Sequence, residues 1–502
     1  MAQLDILFVN TNSSHSTFQS LADKWASIEP PTWSLLLAQS CRSKGYGVAI
    51  LDAHAEHLTH EQTAQKILDA KPKFCCFVAY GSNPNQSSPS MMGVFEVAKF
   101  VKDNSDIKTI SIGNHTAALP MEVLNDVNID YICINEGVYA VHKLLAGVDN
   151  NKIPGLGYDG VINNGVGSLV PQERMDIDMP GYAWDLLPYK HHPLDLYRAH
   201  LWHAEYQDQY RTPFTSLYTS LGCSFGCSFC IINTINRTDN TEGTTAADSR
   251  IMRFWSPELM IKEFDKLVND YGITSIRISD EMFFLNKKYY EPLLTLLKDR
   301  GYGDILRMWT YARVDTVNER FLDLFRAGGV KWLALGIEAA NQQIRQEIYK
   351  GKFQDTNIRD VVKAIHNHGM YVAGNYLFGF ENEDLSHLQE TLDLSLELNT
   401  ELGNFHAAMA LPGSPLYYEA KQRGAKFPEK LSGYSFFSYD CQPSGTKHLT
   451  PAEVLAFRDK AWHQYHENPK FLSMIESKFG QDAKNNIIEM SKIKLKRQIL
   501  GD

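Results

Sequence analysis

No stretch of this chain approaches the about 18 consecutive apolar residues that a membrane-spanning helix needs. No segment is repeated or low in complexity. Those two absences exclude a helical membrane protein, a fibre and a repeat array. Cysteine is scarce, with eight in 502 residues, which excludes a disulfide scaffold and fits a reducing compartment. Basic residues are outnumbered, 49 Lys and Arg against 59 Asp and Glu, for a net charge of −10. Phosphate backbones want a basic face, so this balance argues against a nucleic-acid partner. The one basic run, Lys492-Ile-Lys-Leu-Lys-Arg497, reads as a solvated helix end. Met1-Ala-Gln-Leu-Asp5 has no basic signal-peptide region, so a cytoplasmic protein is expected. What remains is ordinary for a soluble globular protein, 44% hydrophobic and 22% charged, and long enough for two or three domains.

The cysteines are unevenly placed. Cys41, Cys75, Cys76, Cys133 and Cys441 are scattered, and Cys75, Cys76 and Cys133 lie in apolar strand-like runs as packing thiols. The other three form Cys223-Ser-Phe-Gly-Cys227-Ser-Phe-Cys230. Three thiolates that close together hold three irons of a [4Fe–4S] cluster and leave the fourth iron open to a ligand. A zinc site would close with a fourth protein ligand, for which Cys441 and His191 are the candidates. The run follows a strand-like stretch, 214–220, and has an aromatic residue, Phe229, just before its last cysteine.

Six strand–helix units can be counted from residue 214 onward. The strands read 214–220, 274–279, 306–311, 332–337, 371–378 and 404–409. Polar residues stand at their ends: Asp280 and Glu281, Arg313 and Asp315, then Glu338. The cysteine run matches C-x₃-C-x-aromatic-C in full, and the chain therefore resembles the radical S-adenosylmethionine (SAM) enzymes. The resemblance implies a partial (βα)₆ barrel of the TIM type with its site at the carboxyl rim. It implies that SAM chelates the open iron and is cleaved to a 5′-deoxyadenosyl radical. Cys223, Cys227 and Cys230 are then the cluster ligands and the catalytic centre. Asp280 or Glu281 would accept from the SAM ammonium, Glu338 from ribose hydroxyls or the amino group, and Arg313 would pair the carboxylate unless Asp315 satisfies it. Gly336-Ile-Glu338 and Phe378-Gly379 also resemble the family's motifs.

Residues 1–150 show five apolar strand-like runs alternating with helical ones: 4–9, 47–51, 74–79, 107–112 and 131–134. That pattern predicts a doubly wound parallel sheet with ligands at the strands' carboxyl ends. Those ends carry small and polar residues: Asn10 and Thr11, Asp52 and Ala53, Gly81 to Asn83 with Ser82, Gly113-Asn114-His115, and Asn135-Glu136-Gly137. Placed before a radical SAM core, the segment resembles the cobalamin-binding domain of cobalamin-dependent radical SAM enzymes, and Ile28-Glu-Pro-Pro-Thr-Trp33 looks like one of its recurrent segments. The resemblance implies that Asn10, Thr11, Ser82, Gly113, Asn114, His115, Glu136 and Gly137 contact cobalamin. The D-x-H-x-x-G signature is absent; Asp52-Ala-His54 imitates only its start, so no histidine is expected on the lower cobalt face. Methylthiotransferases resemble the same segment but carry three further cysteines at strand ends. Here Asn10 occupies the first such place and Cys75-Cys76 lies inside a strand.

The expected organisation is a cobalamin-binding-like α/β domain at 1–150, a Pro- and Gly-rich connector at 151–204, a radical SAM core at 205–425 and a mainly helical region at 426–502. In the last region an aromatic stretch, Tyr434 to Tyr439, either packs or caps the substrate pocket, and Cys441 is a candidate thiol. The function this implies is a cobalamin-dependent radical SAM methyltransferase acting on a small molecule. A reductase or flavodoxin-type protein would supply the electron. The alternatives are a non-methylating radical SAM enzyme, such as a cyclase, and a non-enzymatic metal or cluster protein.

Overall fold

The computed structural model describes residues 4–80, 84–163, 167–187, 194–237, 243–348 and 357–502. Ser82 and His191 fall outside these. Two sheets organise the chain. The first contains β1 (Ile6–Asn10), β2 (Val48–Asp52), β3 (Phe74–Val78), β4 (Lys108–Ile112) and β5 (Tyr131–Cys133) in the order β2-β1-β3-β4-β5, all parallel. Strand alternation divides its two faces. Ile6 and Phe8 join the main core, and Leu7 and Val9 join a second core under the helices of the opposite face.

The connector is more ordered than its Pro and Gly content predicts. Its first part forms β6 (Leu156–Tyr158) and β7 (Val161–Ile162), which add antiparallel strands to the edge of the first sheet. Further on, Tyr182, Trp184, Tyr197 and Leu201 are buried in the main core. A connector rich in Pro and Gly is thus part of the core. Turn residues set the backbone, but the large apolar residues between them set the packing.

The second sheet is a parallel half-barrel. Its strands are β8 (Phe214–Leu217), β11 (Ser275–Ile278), β12 (Arg307–Arg313), β13 (Val330–Glu338), β14 (Tyr371–Phe378) and β15 (Leu402–Ala407), adjacent in that order. A short antiparallel ribbon, β9 (Ser220–Gly222) with β10 (Met252–Phe254), stands over it. The strand expected over 214–220 is therefore two strands with a bend between them. After the barrel come the aromatic stretch and three helices, Pro451–His466, Pro469–Phe479 and Gln481–Ser491. Among the described residues, no helix is long and apolar enough to cross a membrane.

A polar and aromatic seam joins the sheets. Arg277 of β11 donates from Nη1 to both carboxylate oxygens of Glu29 at 2.8 Å, and both residues are buried. Burial alone would raise the Glu29 carboxyl, but Arg277 and His200 hold it below its ordinary value. The hydroxyls of Thr32 and Ser216 lie 3.1 Å apart across the same seam. Trp33 stacks on Tyr80 at 5.3 Å, and Tyr80 meets Tyr218 edge-on at 6.2 Å. The segment Ile28–Trp33 thus lies in the seam.

A buried ion pair is costly to break from one side, because the remaining charge is left without a partner. Glu29→Ala is expected to lower stability by roughly 3–5 kcal/mol. The double variant Glu29→Ala, Arg277→Met should recover much of that loss. Chemical denaturation midpoints of the two variants check both statements.

Candidate active site

The cysteine loop leaves the ribbon at Gly222, whose φ is +86°. A Cβ there would stand 2.0 Å from the Ile251 carbonyl oxygen, so the approach of β10 requires glycine immediately before Cys223. Asn233 then holds Cys223 from both sides. Its Oδ1 accepts from the Cys223 N–H at 2.9 Å, and its Nδ2 donates to the Cys223 carbonyl at 2.8 Å. Phe229 packs against Phe380 at 5.7 Å. Ser228 is bonded through its N–H to Ile348 and through its carbonyl to Leu416. The loop is braced by segments that follow later barrel strands.

All three cysteines line one cavity of about 910 Å³. N–H groups point at each sulfur: Phe225 to Cys223 Sγ at 3.4 Å, Ile232 to Cys230 Sγ at 3.5 Å, and Arg313 Nη1 to Cys227 Sγ at 3.8 Å. Burial, reinforced by the two neighbouring thiols, pushes Cys230 well up. Three thiolates together therefore need positive charge, which the irons of a cluster would supply. Among the described residues, no three His, Cys, Asp or Glu side chains are gathered closely enough to hold a single metal ion. Cys441 is buried in an apolar cluster with Tyr434 and Leu455 and is pushed up to about 11 by burial. It lines no part of the cavity that the three cysteines share.

The acids expected to meet SAM separate into two kinds. Asp280 is fully buried and accepts from the Thr219 N–H (2.5 Å), the Thr219 hydroxyl (2.6 Å) and the Ser220 hydroxyl (2.6 Å). It fixes the bend between β8 and β9 and does not line the cavity, which corrects its expected contact with SAM. Glu281 does line the cavity and makes no hydrogen bond or ion pair with any described residue. Burial pushes its carboxyl up to about 8, against the pull of Arg277. Glu338 also lines the cavity, with φ at +64° at the carboxyl end of β13. Backbone strain of this kind in a non-glycine residue tends to mark functional positions. Arg313 donates from Nε and Nη2 to Asp315 at 2.8 Å each and stacks over Phe225 at 3.8 Å. The two satisfy one another, so Arg313 faces sulfur rather than standing free for a carboxylate.

Comparison with known proteins bears on this arrangement directly. Residues 217–395 match the model of the radical SAM superfamily. The chain is a radical SAM protein. It is 26% identical over 452 residues to an uncharacterized methyltransferase of Pyrococcus horikoshii, covering 88% of this chain and 89% of that one. It is 22% identical over 473 residues to an anaerobic magnesium-protoporphyrin IX monomethyl ester cyclase of Cereibacter sphaeroides, covering 90% of this chain and 68% of the cyclase. Among solved structures, the radical SAM methyltransferase TsrM from Kitasatospora setae, with cobalamin and a [4Fe–4S] cluster bound, superposes with a TM-score of 0.68. That match has 15% identity and covers 98% of this chain and 99% of TsrM. The cobalamin-dependent enzyme OxsB, with aqua-cobalamin and SAM bound, superposes at 0.65 with 13% identity, covering 97% of this chain and 72% of OxsB.

The first-sheet candidates of this radical SAM protein behave differently from its cysteines. Asn10 donates to Asp52 at 2.7 Å, and with Thr11 and His54 it lines a separate recess of about 50 Å³. Gly113 is packed so closely that a Cβ would meet the Ala79 carbonyl oxygen at 2.1 Å. Asn114 donates to the Ile231 carbonyl at 3.0 Å, next to the last cysteine. His115 is buried against Ser88 (2.9 Å) and pushed down to about 4 by burial. Glu136 is paired with Arg253 of β10 at 2.7 Å, and Gly137 caps the helix Val138–Leu145. None of these seven lines the main cavity.

The first sheet reaches the cavity through other residues, Phe18 to Ser27 after β1 and Pro84 to Gln86 after β3. Ser27, Asn85 and Gln86 beside Leu21 and Trp25 give uncharged polar groups on an apolar wall. That set fits a large macrocycle edged with amides. The aromatic loop also reaches the cavity, through Tyr434, Phe436 and Phe437. It both packs and caps. Sequence reasoning missed Arg277, Asn375, Asn404 and His406, which line the cavity from barrel strands. Their alternation along each strand, with period two, was the available signal.

Glu281 has a consequence for pH. The folded chain keeps the Glu281 proton up to about pH 8, whereas the unfolded chain releases it near 4.5. Between these values the folded state binds more protons, so stability falls as pH rises through that window. Glu281→Gln is expected to flatten this slope in the metal-free protein, as read from thermal midpoints between pH 5 and 8.5.

Proposed function

We propose that this radical SAM protein is a cobalamin-dependent enzyme that methylates an unactivated carbon of a small molecule. The observation that carries the reading is the shared cavity: the cysteine loop, the inward barrel residues and the carboxyl side of the first sheet all line it. Its nearly full-length likeness to TsrM and OxsB, whose structures hold cobalamin, supports the same reading. So do relatives named as methyltransferases, among them the uncharacterized one of Pyrococcus horikoshii and a bacteriochlorophyllide d C-12(1)-methyltransferase of Chlorobaculum tepidum.

In this reading Cys223, Cys227 and Cys230 hold the [4Fe–4S] cluster. The cluster and SAM together supply a carbon radical, and cobalamin supplies a route for the methyl group. The chain's residues position these groups. Glu281 would receive the SAM ammonium, releasing its own proton to solvent, since a neighbouring cation favours the carboxylate. Glu338, held in strained backbone, accepts from the ribose or amino group. Arg313 acts on the sulfur side: its guanidinium, oriented by Asp315, holds positive charge beside Cys227 and favours the reduced cluster. Arg313→Gln is expected to make the cluster potential more negative by on the order of tens of mV, which a redox titration followed by electron paramagnetic resonance measures. A reductase or flavodoxin-type protein supplies the electron.

A second reading is kept open by the cyclase relatives, in which the radical rearranges its substrate without methylation. The two are separated by anaerobic incubation of reconstituted protein with deuteromethyl SAM and a reductant. The methylating reading expects both 5′-deoxyadenosine and S-adenosylhomocysteine, the second only when cobalamin is present. 5′-Deoxyadenosine alone, with cobalamin supplied, overturns it. Cys227→Ala is expected to abolish 5′-deoxyadenosine formation and most of the bound iron.

A further inference from the structure

The inward positions of the last two barrel strands carry a polar strip with unused capacity. Asn404 donates from Nδ2 to Asn375 Oδ1 at 2.9 Å, which leaves its own Oδ1 as an acceptor. His406 lines the cavity beside it, and its buried Nδ1 has no hydrogen-bond partner. Buried polar atoms are normally paired within the protein, with water or with a ligand. The His406 ring is held by Phe436 at a centroid distance of 4.6 Å. Burial, with Arg458 nearby, pushes it down to about 3. It is therefore a neutral imidazole at working pH, with one nitrogen donating and one accepting.

The rest of the wall limits what this strip can recognise. The cavity's guanidinium groups are already engaged: Arg277 with Glu29, Arg313 with Asp315, and Arg458 with the Phe405 carbonyl (2.7 Å) and Asp459 (2.8 Å). An anionic group finds no unpaired guanidinium there among the described residues, and the cavity's two lysines, Lys460 and Lys494, are exposed to solvent. Aromatic faces are plentiful. Trp202 meets Trp309 at 4.9 Å, and Trp309 meets Tyr311 at 5.0 Å. Rings of this kind favour a flat, polarisable partner.

We propose that His406 and Asn404 form the hydrogen-bonding edge of the substrate site, and that the substrate is a planar, uncharged aromatic molecule with a donor–acceptor edge. This rests on the reading of the cavity as the radical SAM active site. The adenine of SAM has the same chemistry, and the SAM arm of the titration below decides between the two. Asn404, His406, Phe436 and Trp202 all lie outside residues 217–395, the part matched to the radical SAM superfamily. Glu281 and Glu338 lie inside it.

Calorimetric titration of the anaerobically reconstituted holoenzyme tests this with 2-quinolone and indole as aromatic probes and with SAM. His406→Phe keeps a ring against Phe436 but removes both nitrogens. It is expected to weaken 2-quinolone binding about tenfold, the size of one to two lost hydrogen bonds, and to leave SAM affinity within about twofold. His406→Gln, which restores a donor and an acceptor, should recover most of the loss. A fall in SAM affinity with probe binding unchanged assigns the edge to adenine and overturns the proposal. So does wild-type protein that binds and cleaves SAM but binds neither probe at millimolar concentration. Wild-type protein that binds the probes but cannot cleave SAM would instead strike the radical SAM reading.

Discussion

The Arg277–Glu29 pair is the constraint on which the site depends. Arg277 projects from a barrel strand into the cavity, and Glu29 comes from the segment that follows the first strand of the other sheet. Neither charge can be buried alone, so the two sheets are held where the pair can form. The guanidinium also lies 4.8 Å over Trp309 and donates to the Tyr311 hydroxyl at 3.2 Å. A single side chain therefore joins the sheets and orders one aromatic wall. Around it, Asn114 reaches Ile231 and Glu136 reaches Arg253, so strand ends of the first sheet grip the cysteine loop and its ribbon.

The cysteine loop shows how much structure three ligands require. Gly222 admits it past β10, Asn233 clamps Cys223, and Asp280 fixes the bend that aims it. N–H groups then face the sulfurs. Cluster properties follow from such contacts as well as from ligand identity. Glu281 stands apart from this scaffold. It carries no structural bond among the described residues, and a cavity-facing carboxyl without structural employment is suited to a ligand.

Much of this was legible in the sequence because local pattern determines it. The cysteine spacing, the five apolar strands of the first sheet and the six strands of the barrel depend on composition and period, and the structure has them where the residues place them. What was not legible depends on direction. Glu136 and His115 stand at strand ends, as ligand-binding residues of such sheets do, but their side chains turn to Arg253 and Ser88. Asp280 and Glu281 are adjacent in sequence and opposite in role, because successive residues after a strand face different ways. The connector misled for a related reason. Its glycines and prolines signal turns, whereas Tyr182, Trp184 and Tyr197 determine that it is buried. His406 was overlooked because a lone histidine within a strand carries no motif.

The central claim is that both sheets open onto one cavity, in which the proposed cobalamin and cluster would act on a common substrate. Electron paramagnetic resonance of anaerobically reconstituted protein, with cob(II)alamin and the reduced cluster present together, tests it directly. The account predicts dipolar broadening and faster relaxation of the cobalt signal when the cluster is reduced, and their loss in Cys227→Ala. A cobalt signal indifferent to the state of the cluster would place the two apart and contradict the shared cavity.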